Sequence, residues 1–279
     1  MSDTAPATDT APATDTAPAT DTVLLRREGA LARITLNRPA SLNAVDADMA
    51  VRWREVAAEV AADTSIGAVI LDAAGRAFCA GGDVVSMSTS GMGGAAVTER
   101  ARIIHDGIAS LTGAAVPIVA AVQGAVAGGG LGIMLVADYI VASPSAVFVS
   151  KYANIGLTPD LGVSTLLPAA IGQRRALQLL LHDTALDAAA ALDWGLVAEV
   201  ADDPAARAQA LADSWLAGAT RAFGQAKRLV RDGAARSFAE NLDDEARTIG
   251  ARFDTDEARM RIDAFAAASA RRTRTEETS

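Results

Sequence analysis

The sequence predicts an α/β fold, on three observations. Short continuous apolar runs alternate with helical segments at βαβ-like spacing through the first 160 residues. Two glycine-bearing loops each follow a strand. After about residue 163 the pattern turns almost wholly helical.

Residues 5–22 are three copies of Ala-Pro-Ala-Thr-Asp-Thr. With no large apolar side chain to bury, residues 1–22 are expected to form a disordered tail. Val23–Arg27 and Leu31–Leu36 flank Glu28-Gly29 and read as an antiparallel hairpin. A helix follows Asp46, with Met49, Trp53, Val56 and Val60 on one face. Ala68–Leu71 is apolar throughout, as in a strand covered on both sides. Helix 95–111, strand Ile118–Val122, helix 131–137 and strand Tyr139–Ala142 come next. The helices Thr165–Ile171, Arg174–Leu181, Ala188–Trp194, Ala205–Ala217, Arg221–Arg231, Phe238–Arg252 and Glu257–Ala270 close the chain, interrupted only by a strand at Leu196–Val200. The expected division is a core over residues 23–200 and a helical region over 201–279.

Composition narrows the function. The formal charge of −9 opposes nucleic acid and anionic membrane surfaces as partners. The single cysteine, Cys79, excludes an internal disulfide, and His105 and His182 do not form a metal-ligand spacing. No apolar run has the roughly 18 residues of a membrane span, so a cytoplasmic protein is expected.

The chemistry is expected at the two loops. Phe78-Cys79-Ala80-Gly81-Gly82-Asp83 lies shortly after one strand, and Gly124-Ala125-Val126-Ala127-Gly128-Gly129-Gly130 lies directly after another. Small residues let a ligand reach the backbone, and two such loops can converge on one oxygen as an oxyanion hole. Each could equally be a tight turn. Neither is followed by Gly-Lys-Ser/Thr, and their glycines are contiguous rather than spaced G-x-G-x-x-G.

Together with Leu36-Asn37-Arg38-Pro39, Leu42-Asn43-Ala44, Pro117–Gly124, Gly156-Leu157-Thr158-Pro159-Asp160 and Trp194-Gly195-Leu196-Val197, these loops resemble the crotonase (enoyl-CoA hydratase/isomerase) superfamily, in its order and spacing over roughly residues 23–270. The resemblance implies a spiral of ββα units, a helical trimerisation region and an acyl-CoA substrate, with no separate cofactor. It also implies that the N–H groups of Ala80 and Gly129 hold the thioester oxygen, with Gly81 and Gly128 beside them. Arg38, Ala40, Leu42 and Ala44 match the nucleotide-contacting region of relatives. Arg247 stands where a neighbouring subunit of a trimer or hexamer supplies a cation.

The chain departs from the hydratases of that family at both catalytic glutamates. Their positions are Gly132 and Tyr152. Hydrating a 2-enoyl thioester suits two placed carboxylates, whereas moving a double bond needs one base. Asp160, in a pattern similar to an isomerase-like subgroup, is the candidate base; the alternative is an Asp capping the helix near Val163. Gly132 would widen the pocket. Tyr152 would donate its hydroxyl there or fill the missing glutamate's volume. Asp83 would orient the first loop or cap a helix. Cys79 reads as a buried filler, Asp138 as a structural ion-pair member, and the histidines as surface or helix residues. The expected function is an enoyl-CoA isomerase; an atypical hydratase and a non-catalytic acyl-CoA binder are the alternatives.

Overall fold

A computed structural model describes residues 21–182 and 184–276, with side chains up to residue 269. The repeat tail lies outside these residues except for its end. Asp21 and Thr22 are already fastened, because Asn37 donates to both of their carbonyls, at 2.9 and 2.8 Å.

Among the described residues nine strands form: β1 (Val23–Glu28), β2 (Leu31–Leu36), β3 (Ala68–Ala73), β4 (Ile118–Val122), β5 (Ala125–Ala127), β6 (Tyr139–Ala142), β7 (Val147–Val149), β8 (Ala185–Asp187) and β9 (Glu199–Val200). The main sheet runs β1-β2-β3-β4-β6-β9, antiparallel only at the β1–β2 hairpin, and β5-β7-β8 make a second small sheet. The helices are α1 (Ala47–Ala62), α2 (Val84–Thr89), α3 (Gly94–Gly113), α4 (Gly129–Met134), α5 (Val163–Ile171), α6 (Gln173–Leu181), α7 (Ala188–Trp194), α8 (Pro204–Ala217), α9 (Thr220–Gly233), α10 (Phe238–Phe253) and α11 (Asp256–Glu276).

The apolar run of β3 is covered on both faces. Val69 and Leu71 join the large core beneath α1 and α3, while Ala68 and Ile70 meet Ala208 and Ala212 of α8. The chain on either side of residue 200 therefore shares one hydrophobic interior. Three differences from the expected elements stand out. α4 begins at Gly129, because Gly128 at φ 51° turns the chain there. The strand expected at Leu196–Val200 pairs only at Glu199–Val200, since Gly195 at φ 78° ends α7 and Leu196 and Val197 complete that turn. The strands β5, β7 and β8 carry three residues each, too few for a periodic signal.

α1 starts where the Asp46 carboxylate accepts from the Met49 N–H at 2.9 Å. Its buried face packs on α3, and Trp53 Nε1 donates to the Ile104 carbonyl at 3.2 Å. The indole fits because residue 107 has no side chain: a Cβ there would stand 2.4 Å from Trp53 Nε1. Gly107→Ala is expected to cost about 1–3 kcal/mol of stability, read as a lower denaturant midpoint.

α9 is pinned to the sheet by Lys227, whose Nζ donates to the Leu111 and Val116 carbonyls at 3.0 Å and pairs with Asp138 at 3.2 Å. Burial pulls the Lys227 pKa down, and the Asp138 charge opposes that pull. Asp138 thus has the structural role expected of it. α10 is tied to α9 through Asp244, which takes Arg228 Nη1 at 2.6 Å and also binds Arg236. The Arg228 hydrogen bond, with that of Arg236, holds the Asp244 carboxyl at about 2. An unfolded Asp titrates near 4. The stabilisation is therefore complete above pH 4 and lost as the pH falls through 2. Hydrogen-exchange protection in α10 should fall across that window and stay flat in Asp244→Asn.

Candidate active site

The two glycine loops are stitched side by side. Cys79 N donates to the Ala125 carbonyl at 3.1 Å, Ala127 N returns to the Cys79 carbonyl at 2.9 Å, and Gly128 N is held by the Val149 carbonyl at 3.1 Å. The segment before α1 closes the other side, with Val45 N on the Gly81 carbonyl at 2.7 Å and Asp83 N on the Val45 carbonyl at 3.0 Å. Gly81 sits at φ 92°, and a Cβ there would be 2.7 Å from the Ala127 carbonyl oxygen, so only glycine allows this approach.

These bonds decide which N–H groups are left over. Ala80 was expected to present one, but it donates to the Leu42 carbonyl at 3.0 Å and has none to offer. The Gly81 N–H is directed at Cys79 Sγ. Among the described residues the Gly82 N–H has no acceptor, and neither has that of Gly129 in the first turn of α4. Cys79 is fully buried and inert: its thiol donates to the Asn43 carbonyl at 3.1 Å, and burial pushes its pKa up to about 12.

Asp160 stands beside the second loop. A Cβ built on Gly129 would be 3.7 Å from Asp160 Oδ1. The same oxygen accepts from the Tyr152 hydroxyl at 2.6 Å, and the Asp160 N–H is itself directed at that hydroxyl. Burial and then the Asp160 charge push the Tyr152 hydroxyl well above the usual phenol range, so it stays protonated and acts as a donor. Asp160 does not cap a helix. α5 begins at Val163 with Gly162 as its N-cap and no side-chain bond. The chain leaves Asp160 through Leu161 at φ 50° and Gly162 at φ 77°, and the Leu161 N–H is held by His105 Nε2 at 3.1 Å. A leucine at positive φ costs of order 1–3 kcal/mol unless its surroundings enforce it. Its side chain, 3% exposed and packed over Gly129, helps to do so.

Around these groups lies a cavity of about 150 Å³. The loops supply Ala80, Gly81, Gly82, Gly128 and Gly129; α2 adds Val84 and Met87; and Val97, Arg100, Ala101 and Ile104 come from one face of α3. Lys151, Tyr152, Ile155, Leu157, Asp160 and Leu161 also line the cavity. Asp160 is the one carboxylate among the described lining residues.

Several expected residues stand elsewhere. Gly132 does not line the cavity, because Leu161 fills its space: a Cβ at 132 would be 2.2 Å from the Leu161 carbonyl oxygen. Asp83 caps α2 through Ser86 N at 3.0 Å and pairs with Arg38 at 3.3 Å, outside the lining. Arg38 is consumed by Asp83, by Asp46 at 2.8 Å and by the Ala44 carbonyl. Ala40 is exposed on a short 3-10 turn, and Leu42 and Ala44 act through backbone bonds. Arg247 is exposed and pairs with Asp243 of its own helix. Sequence reasoning passed over Arg100 and Lys151, and it read His105 as a surface or helix residue, which it is, without its bond to Leu161. Arg100 had a signal, because it falls on the apolar stripe of the 95–111 helix. His105 had none, because its partner is 56 residues away.

Residues 26–271 match the family model for enoyl-CoA hydratase/isomerase. The chain belongs to this family. The enoyl-CoA hydratase/isomerase relatives include the "Probable enoyl-CoA hydratase EchA14" of Mycobacterium tuberculosis, 36% identical over 68% of this chain and 73% of that protein. The 1,2-epoxyphenylacetyl-CoA isomerase of Escherichia coli is 32% identical over 79% of this chain and 86% of its own length. A crystal structure from Thermobifida fusca of an enoyl-CoA hydratase-type protein in complex with CoA superposes with a TM-score of 0.77, at 27% identity, over 84% of this chain and 94% of that one. The α/β spiral expected from the resemblance is thus the fold of this enoyl-CoA hydratase/isomerase family member. No helix among the described residues is long and apolar enough to cross a membrane.

Proposed function

We propose that this family member is an enoyl-CoA isomerase, moving a double bond from position 3 to position 2 of an acyl-CoA with Asp160 as the proton shuttle. The observation that carries the reading is the Asp160 carboxylate, fixed at 2.6 Å by Tyr152 as the single acid of the described lining. The thioester oxygen accepts from the N–H groups of Gly82 and Gly129, in place of the Ala80–Gly129 pair. Asp160 takes a proton from C2, the negative charge spreads over a dienolate ending on that oxygen, and Asp160 returns the proton to C4. Preorganised donors of this kind are worth about 3–4 kcal/mol each. The proton is carried within one carboxyl group, so neither a second acid nor a cofactor is required.

A hydratase reading draws on the names of the mycobacterial relatives. It asks for a second acid/base group, and the two places where such a group is expected hold Gly132 and Tyr152. The E. coli relative, named as an isomerase of a ring-bearing acyl-CoA, favours isomerisation.

Purified protein given 3-enoyl-CoA in deuterated water should yield the 2-enoyl product, with little hydration of 2-enoyl-CoA. Rapid hydration of 2-enoyl-CoA, indifferent to substitution of Asp160, would sink the proposal. Tyr152→Phe should lower kcat about tenfold with KM little changed, the scale of one hydrogen bond to a charged group.

The exposed Phe238, Ile249, Phe253, Met260 and Phe265 of α10 and α11 support assembly into a trimer or a dimer of trimers. Sedimentation equilibrium returning a monomer would refute that assembly.

A further inference from the structure

We propose that Arg100 selects acyl-CoA substrates whose acyl chain carries a second, distal carboxylate. The inference rests on the acyl-CoA reading of the cavity above and names the substrate class within it.

Arg100 lies on the face of α3 that meets the cavity, between Val97 and Ile104. Its Nη1 is shielded from solvent and meets no acceptor in the structure. A guanidinium always carries its charge, so burial cannot be relieved by losing a proton. A charged donor left without an acceptor in a mostly apolar wall is a cost the fold does not explain. Elsewhere among the described residues half-buried cations find an acid, and even Arg252, whose Nε is also buried without an acceptor, pairs with Glu257 at 2.8 Å. Lys227 has two carbonyls and Asp138, and Arg38 has two carboxylates. The one acid of the described lining, Asp160, is bound to Tyr152 rather than to Arg100.

The Arg100 side chain lines the cavity, and a turn of its guanidinium toward a bound acyl chain would give Nη1 the acceptor it lacks. The thioester oxygen is claimed by the loop N–H groups and the reacting carbons by Asp160. Arg100 belongs to α3 rather than to the loops that hold that oxygen, so the group assigned to it is on the acyl chain beyond the reacting carbons. A carboxylate answers both the charge and the forked donor geometry. A neutral hydroxyl accepts from the N–H groups but does not answer the charge. Such a charge-assisted contact is worth about 10- to 100-fold in affinity.

The test is calorimetric binding of unreactive saturated thioesters, which needs no turnover. Glutaryl-, adipoyl- and pimeloyl-CoA are compared with pentanoyl-, hexanoyl- and heptanoyl-CoA. The expected result is a diacid preference of tenfold or more at one chain length at least. That preference should fall to about one in Arg100→Met and be partly kept in Arg100→Lys, with thermal melts confirming that both variants fold. If neutral chains bind as well as diacids at every length, the proposal is overturned, even if Arg100→Met does not fold. It is overturned equally if the preference survives in Arg100→Met, or if 6-hydroxyhexanoyl-CoA matches adipoyl-CoA. If none of the thioesters binds, the acyl-CoA reading itself has failed, a result distinct from equal binding of both classes.

Discussion

Asp160→Asn should lower kcat for 3-enoyl-CoA isomerisation by about 10²–10⁴-fold, the usual contribution of a placed general base. The substitution keeps the size of the side chain, and the Tyr152 hydroxyl, now 2.6 Å from Oδ1, can still donate to an amide oxygen. An amide cannot accept the C2 proton. The loop N–H groups of Gly82 and Gly129 are untouched, so acyl-CoA should bind with little change and KM should move far less than kcat. Steady-state kinetics with calorimetry on the variant read both quantities. An intact kcat would remove Asp160 from the reaction, and a lost affinity with normal kcat would make it a binding group. Exchange of the C2 proton with deuterated solvent should vanish together with isomerisation.

Gly132→Glu, which restores the hydratase-type glutamate at its expected place, should wreck the site rather than convert it. A Cβ at position 132 would be 2.2 Å from the Leu161 carbonyl and 2.7 Å from the Leu161 Cβ. Overpacking of this kind costs about 1–3 kcal/mol. A buried, unpaired carboxylate adds several kcal/mol more. The sum is a large part of the 5–15 kcal/mol that holds a typical domain together. Gly132→Ala carries the clash without the charge and should lose about 1–3 kcal/mol. Thermal melts rank the three proteins, and a stable Gly132→Glu variant that hydrates 2-enoyl-CoA would show that Leu161 moves aside at little cost. The clash also involves a strained segment. Leu161 is held at φ 50° next to the candidate base, so displacing it should disturb Asp160 as well.

Much of the molecule was legible in the chain because its elements are periodic and long. The hairpin, the buried run of β3 and most of the helices follow from the spacing of apolar residues, and the Ala188–Trp194 helix forms over those very residues. The two glycine loops were legible because close backbone approach demands small residues in a row. Asp160 was singled out by resemblance, because Gly156-Leu157-Thr158-Pro159-Asp160 is similar to an isomerase-like subgroup and Gly132 and Tyr152 stand where the family's hydratases carry glutamates.

Tertiary structure decided the rest, because hydrogen-bond partners and cavity walls join segments far apart in the chain. The resemblance pointed to Ala80 as the donor of the first loop, not to Gly82. Only the Leu42 carbonyl, reached from 38 residues away, takes the Ala80 N–H and leaves that of Gly82. Arg38 looks like a ligand-binding charge until it is found bound to Asp83 and Asp46, and Asp83 also caps α2, one of the two roles expected of it. Gly132 looks like added room until Leu161 is found filling it. A sequence names which groups can donate, accept or carry charge. Which of them stays unspent after folding, as the Gly82 N–H and Arg100 Nη1 do, depends on the competition among all the others for the same partners.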